Sequence, residues 1–330
     1  MAKIDIVVPC YNYAHFLKAC VRSVLTQSIT DLRVLIIDDA SSDDSLRVAK
    51  ELAKTDARVT VISHSQNWGH ILTYNQGIAL ASADYFQLLS ADDFLAPGAL
   101  ERATKVMDEN PDIVLAHGAV IEWYDHLPLP EIHQEQSFLW TRQDLIEETC
   151  ALGSNLVHTP TAMVRTSVQK AMGGYRPSLP HAGDMEMWLR FAAHGRIARI
   201  DMVQAIYRRH HSNMSTRYFV EKLPDFQERK KVFDSFFENN WERIVAPSIL
   251  KSQVDSVLSG KVYISGIAQL FQGNVRRGFR LLRYSLTLNP RLWYRPPIVL
   301  LIKLKLPDLC NHCAAALLLV KRRLVPGPCW

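Results

Sequence analysis

The sequence predicts an α/β fold, in which a mainly parallel central sheet is flanked by helices and followed by a helical C-terminal region. The first observation is the alternation of short apolar runs with helical periodicity through about the first 110 residues. The second is composition: 330 residues with 48% hydrophobic and 22% charged residues allow a large core in a globular protein. The third is a set of polar side chains placed where the predicted strands end.

The first four predicted strands and helices alternate strictly. The predicted strands cover residues 4–9, 33–38, 59–63 and 85–90, and the predicted helices cover residues 14–27, 41–52, 71–81 and 97–110. Ser41 or Ser42 is expected to cap the second helix, and Asp43 and Asp44 suit its positive N-terminus. Pro97 is suited to the first turn of the fourth helix.

The next hundred residues are less regular. A strand at 113–117 precedes an irregular stretch, 122–136, which is rich in Pro and His and is expected to cross over a site. A strand near 161–165 and a short helix lead to the turn Gly173-Gly174-Tyr175. Residues 184–194 form an amphipathic helix that ends before Gly195. Beyond about Arg217 the pattern is helical throughout, so we expect one domain at 1–217 and a C-terminal region at 218–330.

The C-terminal region is strongly basic. Residues 220–330 hold eighteen Lys and Arg and eight Asp and Glu, whereas the whole chain has a net charge of +5. Arg276, Arg277, Arg280 and Arg283 follow helical spacing with apolar residues between them. Such a region can face acidic lipid head groups or nucleic acid, and a solvated helical surface is the alternative.

The chain is expected to be cytoplasmic. Its start lacks the pattern of a secretory signal, and the apolar run at 313–320 is far shorter than the ~20 residues of a spanning helix. Six cysteines show no paired framework, which suits a reducing compartment. Cys310-Asn311-His312-Cys313 has zinc-like spacing but no second ligand pair after it, so a structural metal is not expected there.

Polar and aromatic residues follow three of the predicted strands. They lie at residues 9–13, 38–42 and 90–93. In open parallel sheets, ligands bind beyond the carboxyl ends of the strands. This placement alone predicts a binding site at that edge of the sheet.

Asp92 and Asp93 offer paired oxygen ligands at one of these strand ends. Mg²⁺ prefers one or two protein carboxylates together with phosphate oxygens and water, so a lean site of this kind suits a nucleotide diphosphate. A solvated turn that caps a helix is the alternative. At the neighbouring strand end, Asp39 can accept the imide N–H of uracil or thymine, and Tyr11 can stack on a base. Helix capping by Asp39 and a buried, loop-anchoring Tyr11 are the alternatives.

Two further segments carry candidate chemistry. Asp184 begins a helix, where a carboxylate could act as a general base, although the helix N-terminus would lower its basicity and an N-cap role competes. His210 lies in a basic, hydroxyl-rich segment that could close over a diphosphate, and it could complete a metal shell. A surface loop with incidental histidines is the alternative for that segment.

These pieces together resemble the inverting family 2 glycosyltransferases of the GT-A fold. The resemblance runs from about residue 3 to 216 through eight segments in matching order. The similar segments are residues 7–13, 23–28, 35–43, 67–77, 88–93, 173–175, 183–190 and 206–215. Each is weak alone, but their order makes the resemblance specific.

The resemblance implies roles for the matching residues. Asp184 would be the catalytic base, Asp93 the main metal ligand, and Asp92 and His210 further ligands for Mg²⁺ or Mn²⁺. Contacts to the nucleotide sugar would come from Pro9, Tyr11, Asp39, Ser41, Asn67, Gly69, Asn75, Asp92 and Arg208. The donor would be a UDP- or dTDP-type sugar, and the acceptor a glycan or lipid-linked oligosaccharide. The basic region would contact the inner face of the plasma membrane, and no nucleic acid partner is expected.

The chain departs from the family pattern at three positions. The metal motif often begins with Asp where this chain has Ser90, many members have Arg where it has Tyr74, and Gly183 replaces a common Glu beside the base.

Three different functions would use a similar set of residues. A nucleotidyltransferase that makes the sugar nucleotide would need a Gly-rich basic loop after the first strand, which residues 9–13 lack. A glycoside hydrolase would need a water-activating pair of carboxylates across a glycosidic bond, and Asp93 and Asp184 could be such a pair. A non-catalytic binding subunit would be signalled by the loss of Asp93 or Asp184, and both are present.

Overall fold

The computed structural model describes residues 3–132, 137–211, 213 and 222–293. Its strands are β1 Ile4–Cys10, β2 Leu32–Asp38, β3 Val59–Ser63, β4 Tyr85–Leu88, β5 Phe94–Leu95, β6 Ile113–Tyr124, β7 Trp140–Gln143, β8 Met163–Arg165 and β9 Arg196–Arg209. Its helices are α1 Ala14–Leu25, α2 Ser45–Thr55, α3 His70–Leu80, α4 Ala99–Glu109, α5 Leu145–Leu152, α6 Thr166–Met172, α7 Gly183–His194, α8 Lys222–Asn240, α9 Pro247–Phe271 and α10 Val275–Leu288. The α/β fold class with a helical C-terminal region is confirmed.

The sheet is parallel in its first half and mixed in its second. The order β3-β2-β1-β4 is parallel throughout, and it continues as β8-β6-β9-β5, with β7 also paired to β9. The strand β8 runs antiparallel to both β4 and β6, while β6 and β9 are parallel. The expected mainly parallel sheet therefore holds for the first four strands and becomes mixed where β8 enters.

The central strand β1 is buried from both sides because its side chains alternate between two hydrophobic layers. Ile4, Ile6 and Val8 pack with the layer that contains α1, α2 and α4, whereas Val7 packs with the layer of α3 and α7. A Cβ on Gly77 of α3 would lie 2.4 Å from Cγ1 of Val7, so glycine allows this helix to approach the strand closely. Near-continuous apolar runs are typical of parallel strands covered on both faces.

The register brings the predicted strand ends to one edge. Cys10 pairs with Asp38, and Val7 pairs with Leu88. The turns that follow β1, β2 and β4 therefore leave the sheet side by side, as the sequence predicts.

Two predicted helix starts differ from the structure. The second helix begins at Ser45 and not at Ser41 or Ser42, because residues 41–43 cross-link to the loop after β1: Asn12 Oδ1 accepts the Ser42 N–H at 2.8 Å. The fourth begins at Ala99, after Gly98 with φ +70°. In the loop before the second helix, the side chains of Ser41 and Asp43 also contact the loop after β1, since they accept the N–H groups of Asn12 and Ala14.

The chain divides into two compact units between Val254 and Asp255, and the second unit is described as far as residue 293. The expected boundary at 217 and 218 lies outside the described residues. The second unit contains the end of α9 and all of α10, which approach closely where Gly266 and Gly278 meet: a Cβ on Gly278 would lie 3.0 Å from the Gly266 carbonyl oxygen. No helix of the described ranges has the length and hydropathy needed to cross a bilayer. Cys10, Cys20 and Cys150 are free and buried, and residues 310–313 lie outside the described chain.

Candidate active site

A cavity of about 540 Å³ lies beyond the carboxyl ends of β1 and β4. Its wall includes Pro9 at the end of β1, Tyr13 in the turn after it, and Ser90, Asp92 and Asp93 after β4. The other side is formed by Tyr74 of α3, residues of the segment 155–160, Asp184 of α7, and Tyr207 and Arg209 at the end of β9. The candidate metal ligands and the candidate base, which are about ninety residues apart in the chain, therefore face one space. Ser90 and Tyr74, two of the departures from the family pattern, also face it.

The turn that carries Asp92 and Asp93 is buried and tightly held. Asp93 Oδ1 accepts the backbone N–H of Arg208 at 3.0 Å. Asp92 Oδ2 lies 3.1 Å from His210 Nε2 and 3.3 Å from Asn213 Nδ2. The end of β9 and the residues after it thus hold this turn through three contacts.

Arg208 is a part of this support and does not line the cavity. Its Nε–H donates to the Asp92 carbonyl oxygen at 2.9 Å. Its guanidinium carbon lies 4.1, 4.6 and 4.8 Å from the ring centroids of Phe16, Phe94 and Trp123. Cation–π contacts of this kind stabilise a buried guanidinium by about 0.5–2 kcal/mol each. Arg208, a predicted donor contact, therefore lies with its guanidinium in an aromatic cage and outside the cavity wall.

The alternation of β9 explains the difference. Successive side chains of a strand point to opposite faces, so Tyr207 and Arg209 reach the cavity while Arg208 points away from it. Arg209 Nη2 also pairs with Glu122 Oε1 at 2.6 Å, and its guanidinium stacks over Tyr207 at 4.5 Å. The cavity wall thus contains Arg209 and not Arg208, whose contact with the donor stays a prediction. Period-two counting along a predicted strand would have separated the two side chains.

The two adjacent carboxylates fit a divalent cation. Burial, followed by the charge of Asp92, raises the pKa of Asp93 well above its usual range. A bound cation would offset both effects, because it favours the ionised carboxylate. Within the described ranges, however, no group of three or more His, Cys, Asp or Glu side chains is arranged to hold a metal. Asp92, Asp93 and His210 stay predicted ligands, and His210 Nε2 lies 3.1 Å from Asp92 Oδ2.

Asp184 has the surroundings of a proton acceptor. Its Oδ2 accepts from Asn155 Nδ2 at 2.9 Å and lies 3.5 Å from Thr159 Oγ1, and its Oδ1 accepts the Met185 N–H at 2.7 Å. Burial raises its pKa to about 6, and the hydrogen bond from Met185 opposes that rise. Desolvation thus outweighs the helix N-terminus, which the sequence suggested would lower the basicity of this carboxylate.

Asp39 lies beside the cavity and organises a loop. Its Oδ1 accepts the Trp68 N–H at 2.7 Å and its Oδ2 the Gly69 N–H at 2.9 Å. His64 Nδ1 lies 2.7 Å from Oδ1, and the His64 ring stacks on Trp68 with centroids 4.0 Å apart. Both Asp39 and His64 are buried, whereas Trp68 is 44% exposed.

Other predicted donor contacts stand around this loop. Tyr11 is 47% exposed after β1. Asn67 Nδ2 donates to the Asp39 carbonyl oxygen at 3.2 Å, and Gly69 has φ +81°. Ser41 Oγ accepts the Asn12 N–H at 3.0 Å. None of these four residues lines the cavity, whereas Pro9 does.

Asn75 has a supporting role that the sequence did not indicate. Its Nδ2 donates to the Tyr175 carbonyl oxygen at 2.9 Å, and its Oδ1 accepts the Tyr175 N–H at 2.6 Å. A Cβ on Gly174 would lie 2.2 Å from Asn75 Oδ1. The Gly-Gly-Tyr turn is thus fitted onto the amide of Asn75, and Tyr175 is placed in the cavity wall.

Several wall residues were not predicted as site residues from the sequence. They are Tyr13, Tyr74, Tyr175, Tyr207, Arg209, Asn155, His158 and Thr159. Tyr13 lies two residues after the predicted stacking residue Tyr11, and burial with the charge of Asp92 raises its pKa. The segment 155–160 has no motif that marks it, and only the folding of the chain brings it opposite the aspartates.

Comparison with known proteins identifies the family. A family model described as Glycosyl transferase family 2 matches residues 5–168. An uncharacterized glycosyltransferase of Haemophilus influenzae is 24% identical over 241 residues, which cover 72% of this chain and 74% of that protein. Residues 5–168 of this chain therefore form a domain of glycosyl transferase family 2. Two further curated glycosyltransferases match over 34% and 36% of this chain, which spans only 32% and 47% of their lengths.

Solved structures share the fold. TarS 1–349 of S. aureus, in complex with UDP-GlcNAc, has a TM-score of 0.62 at 16% identity and covers 78% of this chain and 72% of its own. The mannosyltransferase PcManGT from Pyrobaculum calidifontis, in complex with GDP-Man and Mn²⁺, has a TM-score of 0.53 at 14% identity, with 89% and 87% covered. The fold is therefore that of the GT-A glycosyltransferases.

Proposed function

We propose that this chain transfers a sugar from a UDP- or dTDP-type nucleotide sugar to a hydroxyl of a glycan or lipid-linked acceptor, with inversion and with a divalent metal. The observation that carries the proposal is the cavity shared by Asp92, Asp93 and Asp184. It combines oxygen ligands for a metal-bound diphosphate with a carboxylate whose pKa, about 6, suits proton transfer near neutral pH. The catalytic domain is proposed to occupy residues 1–217.

The preference for a uracil or thymine base rests on Asp39. An ionised carboxylate offers about four lone-pair directions, and the described contacts use two on Oδ1 and one on Oδ2. One direction on Oδ2 can therefore accept an imide N–H, while the exposed ring of Tyr11 is available for stacking. Binding of UDP-GlcNAc by the structural neighbour TarS supports this type of donor.

Asp184 acts as the base in a single displacement. The acceptor hydroxyl loses its proton to Asp184 as its oxygen forms the bond to the anomeric carbon, and the bond from that carbon to the diphosphate breaks on the opposite side. One base and no second carboxylate nucleophile are needed for this inverting course. General base catalysis of this kind contributes typically ~10²–10⁴-fold to the rate.

Asp93 and Asp92 would hold the metal, Mg²⁺ or Mn²⁺, together with oxygens of the donor diphosphate. When bound, the metal supplies positive charge that stabilises the departing diphosphate. His210 keeps Asp92 oriented through their contact at 3.1 Å, and Arg209 adds a cation to the same wall. The Mn²⁺ in the complex of PcManGT supports a divalent ion in this fold.

The membrane-facing partner is proposed from the second unit. Residues 256–293 contain six basic residues and no Asp or Glu. Phe271 and Phe279 are 89% and 61% exposed in this unit, and Arg276 and Arg280 are exposed as well. Exposed aromatic rings with arginines suit an anionic bilayer surface, so the chain would meet a lipid-linked acceptor at the cytoplasmic face. The cytoplasmic location itself remains a proposal.

The test is a panel of nucleotide sugars assayed with the purified chain, with Mn²⁺ and with the metal chelated. We expect release of UDP or dTDP from one donor, dependent on metal, and its loss in Asp93→Asn. Asp184→Asn should nearly abolish transfer while nucleotide binding persists. Normal transfer by Asp184→Asn would overturn the assignment of the base.

The same panel separates the competing functions. Formation of a sugar nucleotide from a sugar phosphate and a nucleoside triphosphate would indicate a nucleotidyltransferase. Cleavage of a glycoside without any nucleotide would indicate a hydrolase. Donor binding without turnover in any condition would indicate a non-catalytic subunit.

A further inference from the structure

The turn at residues 180–184 forms one wall of the cavity and ends at the proposed base. Pro180, His181, Gly183 and Asp184 all line the cavity. The helix α7 has no side-chain cap of its own, because its N-cap residue is Ala182. The N–H groups at a helix start need partners from outside the helix. The groups that accept these hydrogen bonds therefore also determine the position of Asp184.

Two N–H groups at the entry to the helix, those of the N-cap Ala182 and of His181 before it, have their partner on α8, far along the chain. Glu228 Oε1 accepts the backbone N–H of His181 at 2.5 Å and that of Ala182 at 2.9 Å. Glu228 is buried, and a carboxylate at a helix N-terminus is favoured by the helix dipole. The two N–H groups lie three and two residues before Asp184. A shift of this carboxylate would therefore move the start of α7 directly.

A second contact from α8 fixes the same turn. Asp225 Oδ1 lies 3.1 Å from His181 Nε2, and Arg229 pairs with Asp225 at 2.8 Å. From the opposite side, His70 Nε2 lies 2.7 Å from the Pro180 carbonyl oxygen. The turn thus contacts both α3 and α8, and Glu228 accepts hydrogen bonds from two of its backbone amides.

We propose that Glu228 is a positioning residue for sugar transfer: it holds the 180–184 turn so that Asp184 meets the acceptor hydroxyl. The proposal rests on the proposed role of Asp184 as the base. Glu228 does not line the cavity, and it lies beyond residues 5–168, which match the family model. Its effect therefore reaches the reaction only through the backbone of His181 and Ala182.

This role predicts a loss of turnover without a loss of donor binding. The aspartates of the metal turn and Asp39 belong to the ends of β4 and β2, which Glu228 does not contact. A displacement of about 1 Å at a reacting group can lower the rate about 100-fold. Glu228→Ala should therefore lower kcat about 10- to 100-fold, while the donor KM and the Kd for UDP change less than about threefold.

The experiment compares four variants of the full chain in steady-state transfer assays. Glu228→Gln should restore most of the turnover, because its amide oxygen can accept the same two N–H groups. Glu228→Asp shortens the side chain by one methylene and should give an intermediate loss of kcat. This variant replaces Glu228→Ala in the comparison if the Ala variant does not fold. Glu238→Ala, at an exposed position of the same helix, should match the wild type.

Three results would overturn the proposal. Normal kcat in both Glu228→Ala and Glu228→Asp would exclude it, and so would an equal loss of donor binding that Glu228→Gln does not restore. Normal transfer by Asp184→Asn would remove the proposed base and the positioning role together. If Asp184→Asn is inactive and Glu228→Ala is fully active, the positioning role of Glu228 is excluded, and the role of Asp184 as the base is not.

Discussion

The backbone N–H of Arg208 lies 3.0 Å from Oδ1 of Asp93, and the side chain of Arg208 binds the carbonyl oxygen of the neighbouring Asp92. One residue of β9 thus holds both members of the proposed metal turn. Its positive charge also lowers the pKa of Asp93, against the much larger effect of burial. Arg208 therefore supports the metal ligands from behind.

Replacing Arg208 should weaken metal binding more than donor binding. Met fills the cage of Phe16, Phe94 and Trp123 but leaves the Asp92 carbonyl oxygen without its donor. Loss of an outer partner of metal ligands typically costs 10–100-fold in metal affinity or activity. In Arg208→Met, the Mn²⁺ concentration for half-maximal activity should rise about 10- to 100-fold.

Arg209→Met is the comparison for that experiment. Its side chain faces the cavity, so this variant should raise the donor KM and leave the Mn²⁺ requirement nearly unchanged. The reverse pattern, a raised donor KM and an unchanged Mn²⁺ requirement in Arg208→Met, would mean that Arg208 contacts the donor itself.

The pH dependence should report the ionisation of Asp184. The pKa of this carboxyl is raised to about 6, and only the ionised form can accept a proton. Activity should therefore be low below pH 6 and rise to a plateau above it. The acid limb of kcat/KM, measured at saturating metal, reports this group in the free enzyme. An acid limb near pH 4 would show that Asp184 is not the group that controls the rate.

Asn75 and Gly174 should behave as a coupled pair in stability measurements. Gly174→Ala places a Cβ 2.2 Å from Asn75 Oδ1, and overpacking of this kind costs about 1–3 kcal/mol. Asn75→Ala removes two hydrogen bonds to Tyr175 and also removes the clash. The loss of unfolding free energy in the double variant should therefore be smaller than the sum of the two single losses. The difference, measured by urea titration, should be at least about 0.5 kcal/mol. Strict additivity would contradict the contact.

Membrane binding should require both the aromatic rings and the arginines of the second unit. With vesicles that contain phosphatidylglycerol, Arg276→Gln with Arg280→Gln should lower binding roughly 30-fold, at about 1 kcal/mol per basic residue. Phe271→Ser with Phe279→Ser should also lower it. Lys50→Gln with Lys54→Gln, at exposed positions of the first unit, is the matched control. Equal binding to pure phosphatidylcholine vesicles would contradict the proposal.

The first half of the fold was predictable because its strands are local and regular. Each apolar run of β1 to β4 is followed by a helix with clear periodicity. The carboxyl ends of these strands lie at one edge of the sheet because the strands are parallel. The strand β9 was not predicted, since its residues 196–209 mix charged and apolar types. Its pairing with β6, β5 and β7 depends on contacts between residues far apart in the chain.

The site was predictable to a similar degree. That Asp92, Asp93 and Asp184 face one cavity could be predicted, because each stands at the end of a strand or the start of a helix. Which of the Arg208 and Arg209 side chains faces the cavity depends on the alternation along β9, a strand that was not predicted. The support of the base by Glu228 could not be read from the sequence, because nothing local links residue 228 to residue 181.

The hydrogen bonds between Asn75 and Tyr175 join residues on either side of the end of the matched family segment, at residue 168. A nascent chain that has emerged only to that point has β1 to β4 and the metal turn, but the amide of Asn75 still lacks both of its partners. The wall that carries Tyr175 and Asp184 can close only after later residues have been synthesised. The contacts that hold Asp92 and Asp93, from Arg208, His210 and Asn213, also come after residue 168. The cavity can therefore form only when β9 has been synthesised and has folded back onto the earlier strands.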